Sequence, residues 1–218
     1  MRHLLAAGSA PGRAHLLAQR PNQDAFALRS GPWGAAAVVC DGCGSEPHSG
    51  FGALLGAALA AQAAARQAEA EGTLDLNALG AEILAGLRLV MASAGLDLRE
   101  HFLFTVVGAA FIGDRATVFA CGDGVAAVDG ALTRLGPFPD NAPPYLAYAL
   151  EGSAVALERV YDGPAKSVWV GTDGVAEADL GALWADPRLQ LNPDFLRRTL
   201  SRARLVDDAT LALIRRVT

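Results

Sequence analysis

Two long helix-like segments stand side by side in this 218-residue chain, with strand-length apolar runs before and after them. The first segment, Ser49–Glu71, is rich in alanine throughout. The second, Leu76–Ala94, repeats apolar residues such as Leu79 and Ile83 at helical spacing. A doubly wound parallel sheet would place a helix after nearly every strand. Because these helices are grouped, we predict a layered α+β fold.

Apolar runs of strand length flank the two helices, and most of them end in Gly or Asp-Gly, which commonly terminate strands. The predicted strands are Gly34–Cys40 and residues 104–112, 116–121, 154–160, 167–170 and 210–214. We expect shorter helices near residues 180–184 and 193–204. The proline-rich residues 135–152 are expected to form a surface flap or loop with one helical turn.

The composition is that of a well-buried globule, with 52% hydrophobic and 19% charged residues. A chain of this length fits one domain with a sizeable core, which we expect to span residues 1–218. The net charge of −5 gives no electrostatic reason to expect nucleic acid or an anionic membrane as a partner.

Three cysteines, Cys40, Cys43 and Cys121, form an odd set that fits free thiols in a reducing compartment. The apolar run at the N-terminus is too short for a signal peptide, and the alanine-rich residues 50–65 are too few to span a bilayer. We therefore expect a cytoplasmic protein without a membrane span. The C-x-x-C spacing of Cys40 and Cys43 also leaves open a redox or zinc role, although apolar packing is favoured.

Carboxylates recur at the edges of the apolar runs. They are Asp24, Asp41, Asp123, Asp173, Asp207 and Asp208. Packing these strand ends together would gather four or five negative charges, which is costly unless a cation neutralises them. Oxygen ligands of this kind suit Mg²⁺ or Mn²⁺ and not zinc. Asp-Gly is also the commonest turn dipeptide, so the spacing alone leaves ordinary turns as an alternative.

Five segments in order resemble the motifs of the metal-dependent protein phosphatases of the 2C type. They read RPNQDAF, VVCDGCGS, FTVVGAAFIGDRATVFACGDG, VWVGTDGV and DDATLALI. The opening segment, from His15 to Ala25, is particularly similar to a bacterial branch of that family. The resemblance spans roughly residues 8–216. It implies a four-layer α-β-β-α sandwich of two antiparallel sheets flanked by helices, with a two-metal centre at one end.

The resemblance also implies the roles of single residues. Asp41 matches the aspartate that bridges both metals, and Gly42 matches the glycine whose carbonyl binds one of them. Asp173 and Asp207 match ligands of the other ion. Asp24 matches an acidic residue that acts through metal-bound water. The implied cofactor is therefore a pair of Mn²⁺ or Mg²⁺ ions.

Four further positions mark the bacterial branch or depart from the family pattern. Asp123 matches an acidic residue linked to a third, weaker metal, although the serine-arginine that usually follows is missing. Gln23 replaces a frequent glutamate, and Cys43 stands where animal members have a histidine. Arg20 is the candidate for the arginine that binds the substrate phosphate, one residue closer to the acidic motif than usual.

The resemblance implies hydrolysis of phosphoserine and phosphothreonine by a metal-activated water, without a phosphoenzyme. The expected substrate is a phosphoprotein, the counterpart of a serine/threonine kinase, and the expected enzyme is a monomer. The alternative is a weakly active or inactive phosphatase-fold module that binds phosphoproteins, which Gln23 and the altered CGDG motif motivate. His15 and His48 are candidates for proton transfer or, more simply, hydrogen-bonding loop residues.

Overall fold

Two five-stranded antiparallel sheets face each other in the computed structural model, which describes residues 2–177, 186, 188–192 and 194–217. The strands are β1 (Arg2–Ala10), β2 (Ala25–Gly31), β3 (Gly34–Cys40), β4 (Val106–Ile112), β5 (Arg115–Cys121), β6 (Gly124–Val128), β7 (Ala131–Leu135), β8 (Glu158–Pro164), β9 (Ser167–Gly171) and β10 (Ala209–Val217). One sheet has the order β1-β10-β9-β6-β7, and the other has the order β2-β3-β4-β5-β8.

Helices cover the outer faces of both sheets. In the described part of the chain they are α1 (Arg13–Ala18), α2 (Ser49–Glu71), α3 (Leu76–Ala94), α4 (Leu98–Phe102), α5 (Arg188–Leu191) and α6 (Phe195–Ala203). Short 3₁₀ turns form at Pro139–Asn141, Leu146–Glu151 and Asp173–Glu177. Helix α2 packs on the sheet of β2 and β3, and α6 packs on β1. The predicted α+β, four-layer α-β-β-α sandwich is confirmed.

Small side chains let α2 lie close to the sheet beneath it. Its inner face is made largely of alanine and glycine, with Ala53, Ala57, Ala60, Ala61 and Ala64 fully buried. A Cβ on Gly56 would lie 2.2 Å from the ring of Phe104, so a larger residue would push the helix off the sheet. Because β3 has α2 on one face and the opposite sheet on the other, all seven of its residues are buried.

Helix α3 begins at an N-cap, Asp75, whose side chain accepts hydrogen bonds from the N–H groups of Asn77 and Ala78. Among the described helices it alone is long and apolar enough to cross a membrane, by length and composition. In the fold its buried side chains include Leu79 and Ile83, which pack into the core beside α2. That one-sided burial is the pattern of an amphipathic helix on a globular domain.

Most predicted strands and both long helices are found near their predicted positions. The strand expected at residues 154–160 instead begins at Glu158, because only Glu158–Pro164 pairs with β5. The helix expected at residues 193–204 is α6, and the one expected at 180–184 lies outside the described residues. Leu146 and Ala147 are buried, so part of the predicted surface flap belongs to the core.

Candidate metal centre

Antiparallel pairing brings the two acidic residues of the first hairpin together. Ala25 of β2 pairs with Cys40 of β3. Asp24 and Asp41 each stand one residue beyond that pair, so both lie at the same end of the sheet. The Asp41 carbonyl accepts a hydrogen bond of 2.8 Å from the N–H of Thr105, which joins the segment after β3 to the segment before β4.

The second sheet places three more carboxylates at this end of the sandwich. Strand β9 ends at Gly171 and is paired there with both β10 and β6. Asp173 follows β9, Asp207 precedes β10, and Asp123 directly precedes β6. Sites that are 150 residues apart or more in sequence, such as Asp24 and Asp207, are therefore neighbours only because two sheets end together.

A cavity of about 270 Å³ opens at these strand ends. Four of the six predicted metal-binding residues line it: Asp41, Asp123, Asp173 and Asp207. The other two, Asp24 and Gly42, are not among its lining residues. The rest of the lining is Cys43, Gly44, Ser45, Thr105, Pro143 and Tyr145. No lysine or arginine is among the described residues that line the cavity. The carboxylates thus share one pocket without a side-chain cation.

Burial and mutual repulsion raise the pKa values of these carboxyl groups. The pKa of Asp41 lies well above its usual range because of burial and because of the charges of Asp24 and Asp173. Burial also raises the pKa of Asp24 to about 7, against the hydrogen bond that Thr172 donates. Burial and the charge of Asp173 raise the pKa of Asp123 to about 6. A divalent cation would offset the cost of ionising all three carboxyl groups.

Two carboxylate oxygens in this region are buried and have no hydrogen-bond partner among the described residues. They are Oδ1 of Asp24 and Oδ1 of Asp173. The other oxygen of Asp24, Oδ2, accepts a hydrogen bond of 2.7 Å from Thr172 Oγ1, which fixes the orientation of the carboxylate. A buried oxygen without a partner is costly unless it binds an ion or water. The residues present therefore fit a divalent metal.

Close backbone approach explains why glycine follows two of the aspartates. A Cβ on Gly174 would lie 2.0 Å from the carbonyl oxygen of Asp208, where the segment after β9 crosses the segment before β10. A Cβ on Gly42 would lie 2.8 Å from the carbonyl oxygen of Gln23 and 2.9 Å from Ser49. The Gly42 carbonyl accepts no hydrogen bond from the described residues, so its oxygen is free to bind an ion.

Asp208 is a site residue for which the sequence predicted no separate role. It is buried and accepts three hydrogen bonds: 2.7 Å from Gly12 N, 2.6 Å from Gln23 N and 2.7 Å from His15 Nδ1. These bonds tie the segment that carries Asp207 to the segment that leads into Asp24. The only sequence signal was the doubled aspartate itself. His15 is thus a hydrogen-bonding residue, as the simpler of its two interpretations predicted, but it lies in helix α1 and not in a loop.

Gln23 anchors the loop after β3. Its side-chain nitrogen donates to the Glu46 carbonyl at 2.6 Å and to Ser49 Oγ at 2.7 Å. A glutamate cannot donate hydrogen bonds at neutral pH, so the amide suits this buried position. Ser49 Oγ in turn donates to the Cys43 carbonyl at 2.9 Å. The departure from the family pattern at Gln23 therefore has a local structural cause.

Arg20 and His48 are absent from the described residues that line the cavity. Arg20 follows α1, and its N–H donates to the His15 carbonyl at 2.9 Å, while its guanidinium has no partner among the described residues. His48 is exposed and lies next to Glu100. Cys43 does line the cavity, with its Sγ 3.2 Å from Ser45 Oγ, and all three cysteines are free thiols.

Comparisons with known proteins agree with this architecture. The crystal structure of the catalytic domain of the serine/threonine protein phosphatase PstP, in complex with two manganese ions, has a TM-score of 0.64 and 20% identity, with 99% of each chain covered. Stp1 of Staphylococcus aureus, a serine/threonine phosphatase, has a TM-score of 0.65 and 13% identity over 100% of this chain and 96% of its own. At these identities the likeness is one of fold.

A bacterial serine phosphatase bearing a single arginine-to-glutamate mutation gives a TM-score of 0.70 and 13% identity, with 100% of both chains covered. No curated protein matches the sequence. The sequence profile described as Protein phosphatase 2C matches residues 11–212, which is nearly the whole chain. The chain belongs to the protein phosphatase 2C family.

Proposed function

We propose that this protein is a metal-dependent serine/threonine protein phosphatase. The observation that carries the proposal is the cavity at the strand ends, where four carboxylates meet without a cationic side chain among the described residues. The proposed metal-binding residues are Asp24, Asp41, Gly42, Asp173 and Asp207, with Asp123 for a third, weaker ion. All of them offer oxygen, the ligand atom that Mn²⁺ and Mg²⁺ prefer.

When bound, two divalent ions lower the pKa of a water molecule and neutralise charge on the phosphate oxygens. The carboxylates of Asp41 and Asp173 would hold the ions, and Thr172 fixes the orientation of the Asp24 carboxylate through a hydrogen bond of 2.7 Å. Asp208 holds the Asp207 segment in place through its contacts with Gly12, Gln23 and His15.

Two residues with hydroxyl groups, Ser45 and Tyr145, line the cavity and could contact a substrate phosphate. Burial and a hydrogen bond with Cys43 raise the pKa of Tyr145 above its usual value, so its hydroxyl keeps the proton and can donate to a phosphate oxygen. Arg20 stays our prediction for a phosphate-binding arginine. It lies on the segment between α1 and β2 that leads into Asp24.

The test is hydrolysis of a phosphothreonine peptide with Mn²⁺ and with Mg²⁺, each with and without chelator. We expect chelator-sensitive release of phosphate, and we expect Asp41→Asn to lose nearly all turnover. Asp114→Asn, in the exposed turn at the opposite end of the β4–β5 hairpin, is the control and should keep wild-type rates. Wild-type turnover by Asp41→Asn would refute the proposed role of the cavity.

If neither metal supports phosphate release and the protein binds the same phosphopeptide tightly, the alternative of a phosphoprotein-binding module is favoured. The altered residues after Asp123 are the feature that favours it. The substrate would be a phosphoprotein, the target of a serine/threonine kinase. We further propose that the protein acts as a cytoplasmic monomer, which size-exclusion chromatography with light scattering would test for the oligomeric state.

A further inference from the structure

Two histidines and one glutamate meet on the surface where α2 and α4 come together. Nε2 of His48 lies 3.4 Å from Oε1 of Glu100. The rings of His48 and His101 are stacked, with 5.1 Å between centroids and 23° between planes. One possible ligand atom from each of the three residues lies within 4.8 Å of the others. We propose that His48, Glu100 and His101 form a binding site for one zinc ion, separate from the carboxylate cavity.

The ligand types favour zinc over the ions proposed for the cavity. Imidazole nitrogen and carboxylate oxygen are common zinc ligands, at about 2.0–2.2 Å from the ion. Tetrahedral bonds of that length separate neighbouring ligand atoms by about 3.3 Å. The 3.4 Å between Nε2 of His48 and Oε1 of Glu100 is close to this separation. Three protein ligands would leave a fourth position for water, as in other three-ligand zinc sites.

One ring nitrogen of His101 has a hydrogen-bonding partner on its own helix, which leaves the other nitrogen for a metal ion. Its Nδ1 lies 3.1 Å from the carbonyl oxygen of Asp97, one turn earlier in the chain. A carbonyl only accepts, so the proton is on Nδ1 and the lone pair is on Nε2. A hydrogen bond from the second ring nitrogen to a carbonyl is the usual way in which proteins orient a zinc-binding histidine.

The two helices that carry the ligands are packed tightly against each other. His48 is the N-cap of α2, and Gly52 lies one turn further on the same side of the helix. A Cβ on Gly52 would lie 2.1 Å from the carbonyl oxygen of His101, so α4 rests directly on the backbone of α2. The rings of Phe51 and Phe102 also meet edge to face at 6.0 Å. This packing holds the ligand backbones in place before any ion binds.

A zinc ion here would join α4 to the loop that lines the carboxylate cavity. That loop runs from Gly42 to His48, and its Cys43 N–H donates to the Leu103 carbonyl, just after α4, at 2.9 Å. The expected consequence is a more rigid loop and a higher melting temperature, because an ion that binds only the folded state stabilises it.

Competition of the whole protein with a colorimetric chelator measures Zn²⁺ affinity directly, without reference to phosphatase activity. Mutating a residue that only hydrogen-bonds a metal ligand lowers metal affinity by about 10- to 100-fold. Removing a ligand itself should cost at least as much, so His101→Gln and Glu100→Gln should each weaken one Zn²⁺ site by about 100-fold. Asp41→Asn should retain that site and lose Mn²⁺ binding instead. Glu71→Gln, an exposed glutamate at the far end of α2, is the matched control and should change neither.

His48→Gln guards against misfolding as an explanation. His48 makes no side-chain capping hydrogen bond, so its replacement should leave the circular dichroism spectrum and Mn²⁺ binding unchanged while the Zn²⁺ site is lost. Zn²⁺ affinity that survives in His48→Gln and His101→Gln but disappears in Asp41→Asn would overturn the proposal. The proposal would also be overturned if the wild-type protein binds no Zn²⁺ outside the cavity. His48 and Glu100 would then form only an exposed ion pair.

Discussion

Replacing Asp24 with asparagine should stabilise the metal-free protein at pH 8. Burial raises the pKa of Asp24 to about 7 in the folded state, from the ordinary value of 3.8 in the unfolded chain. The folded state therefore binds the proton more tightly, and stability falls as the pH rises from about 4 to about 7. A difference of about three in pKa corresponds to about 4 kcal/mol, which is an upper limit in a cluster of interacting carboxylates.

The asparagine side chain would keep the shape of the aspartate, and its carbonyl oxygen can still accept the hydrogen bond from Thr172. At pH 8 with chelator we expect the Asp24→Asn protein to be about 2–4 kcal/mol more stable than wild type. At pH 4 the gain should shrink to below about 1 kcal/mol, because the wild-type carboxyl is then protonated in the folded state. With added Mn²⁺ the Asp24→Asn protein should instead be less stable than wild type, since the amide carries no charge to bind the ion.

Urea unfolding followed by tryptophan fluorescence measures these free energies, at pH 4 and pH 8, with chelator and with Mn²⁺. Asp114→Asn is the matched control, because Asp114 is an exposed turn residue and its replacement should change stability by less than about 0.5 kcal/mol. An Asp24→Asn protein that is less stable than wild type at pH 8 without metal would show that burial of the charged Asp24 carboxylate does not destabilise the fold, and would refute the reasoning.

Three further predictions concern the contacts that hold the site together, each measured by urea unfolding. Gly174→Ala should cost about 3 kcal/mol because its Cβ would meet the Asp208 carbonyl at 2.0 Å, whereas Gly80→Ala, with 3.9 Å to its nearest neighbour, should not destabilise. Gln23→Glu should cost about 3 kcal/mol because the buried Ser49 hydroxyl and the half-buried Glu46 carbonyl lose their donor; unchanged stability would contradict this. Asp208→Asn should cost about 2 kcal/mol, since an amide cannot accept three hydrogen bonds where the carboxylate does, and a neutral effect would contradict that network.

The elements predicted correctly, such as β3 and α3, are those whose own residues carry the pattern of the structure they form. Strand β3 was predicted with its bounds, because a strand covered on both faces is apolar at every position. Helix α3 repeats its buried residues at helical spacing, and its predicted bounds are also those observed. The grouping of α2 and α3 was enough to select an α+β architecture.

Two kinds of strand were missed: β1, which depends on its partner, and the β6–β7 hairpin, which does not. Strand β1 is nine residues long and pairs along its whole length with β10, but its own sequence contains Gly8 and Ser9 and has no clear alternation. The hairpin of β6 and β7 did carry a local signal: Asp129 and Gly130, both with positive φ, form its turn. An Asp-Gly pair between two short apolar runs would have predicted that hairpin.

For the candidate site, sequence predicted which carboxylates would meet but not what supports them. Asp41, Asp123, Asp173 and Asp207 were all identified and all line one cavity. The hydrogen bonds that hold these carboxylates in place were not predicted. The three hydrogen bonds to Asp208, for example, join segments more than 180 residues apart. No local pattern encodes a contact of that range.

Anomalous scattering at the manganese edge, from a crystal soaked in Mn²⁺, tests the central claim most directly. We predict two strong peaks about 4 Å apart in the cavity lined by Asp41, Asp173 and Asp207. Soaking a crystal of Asp41→Asn should remove both peaks. A wild-type crystal with no manganese between these carboxylates, at a concentration that saturates binding in solution, would contradict the account.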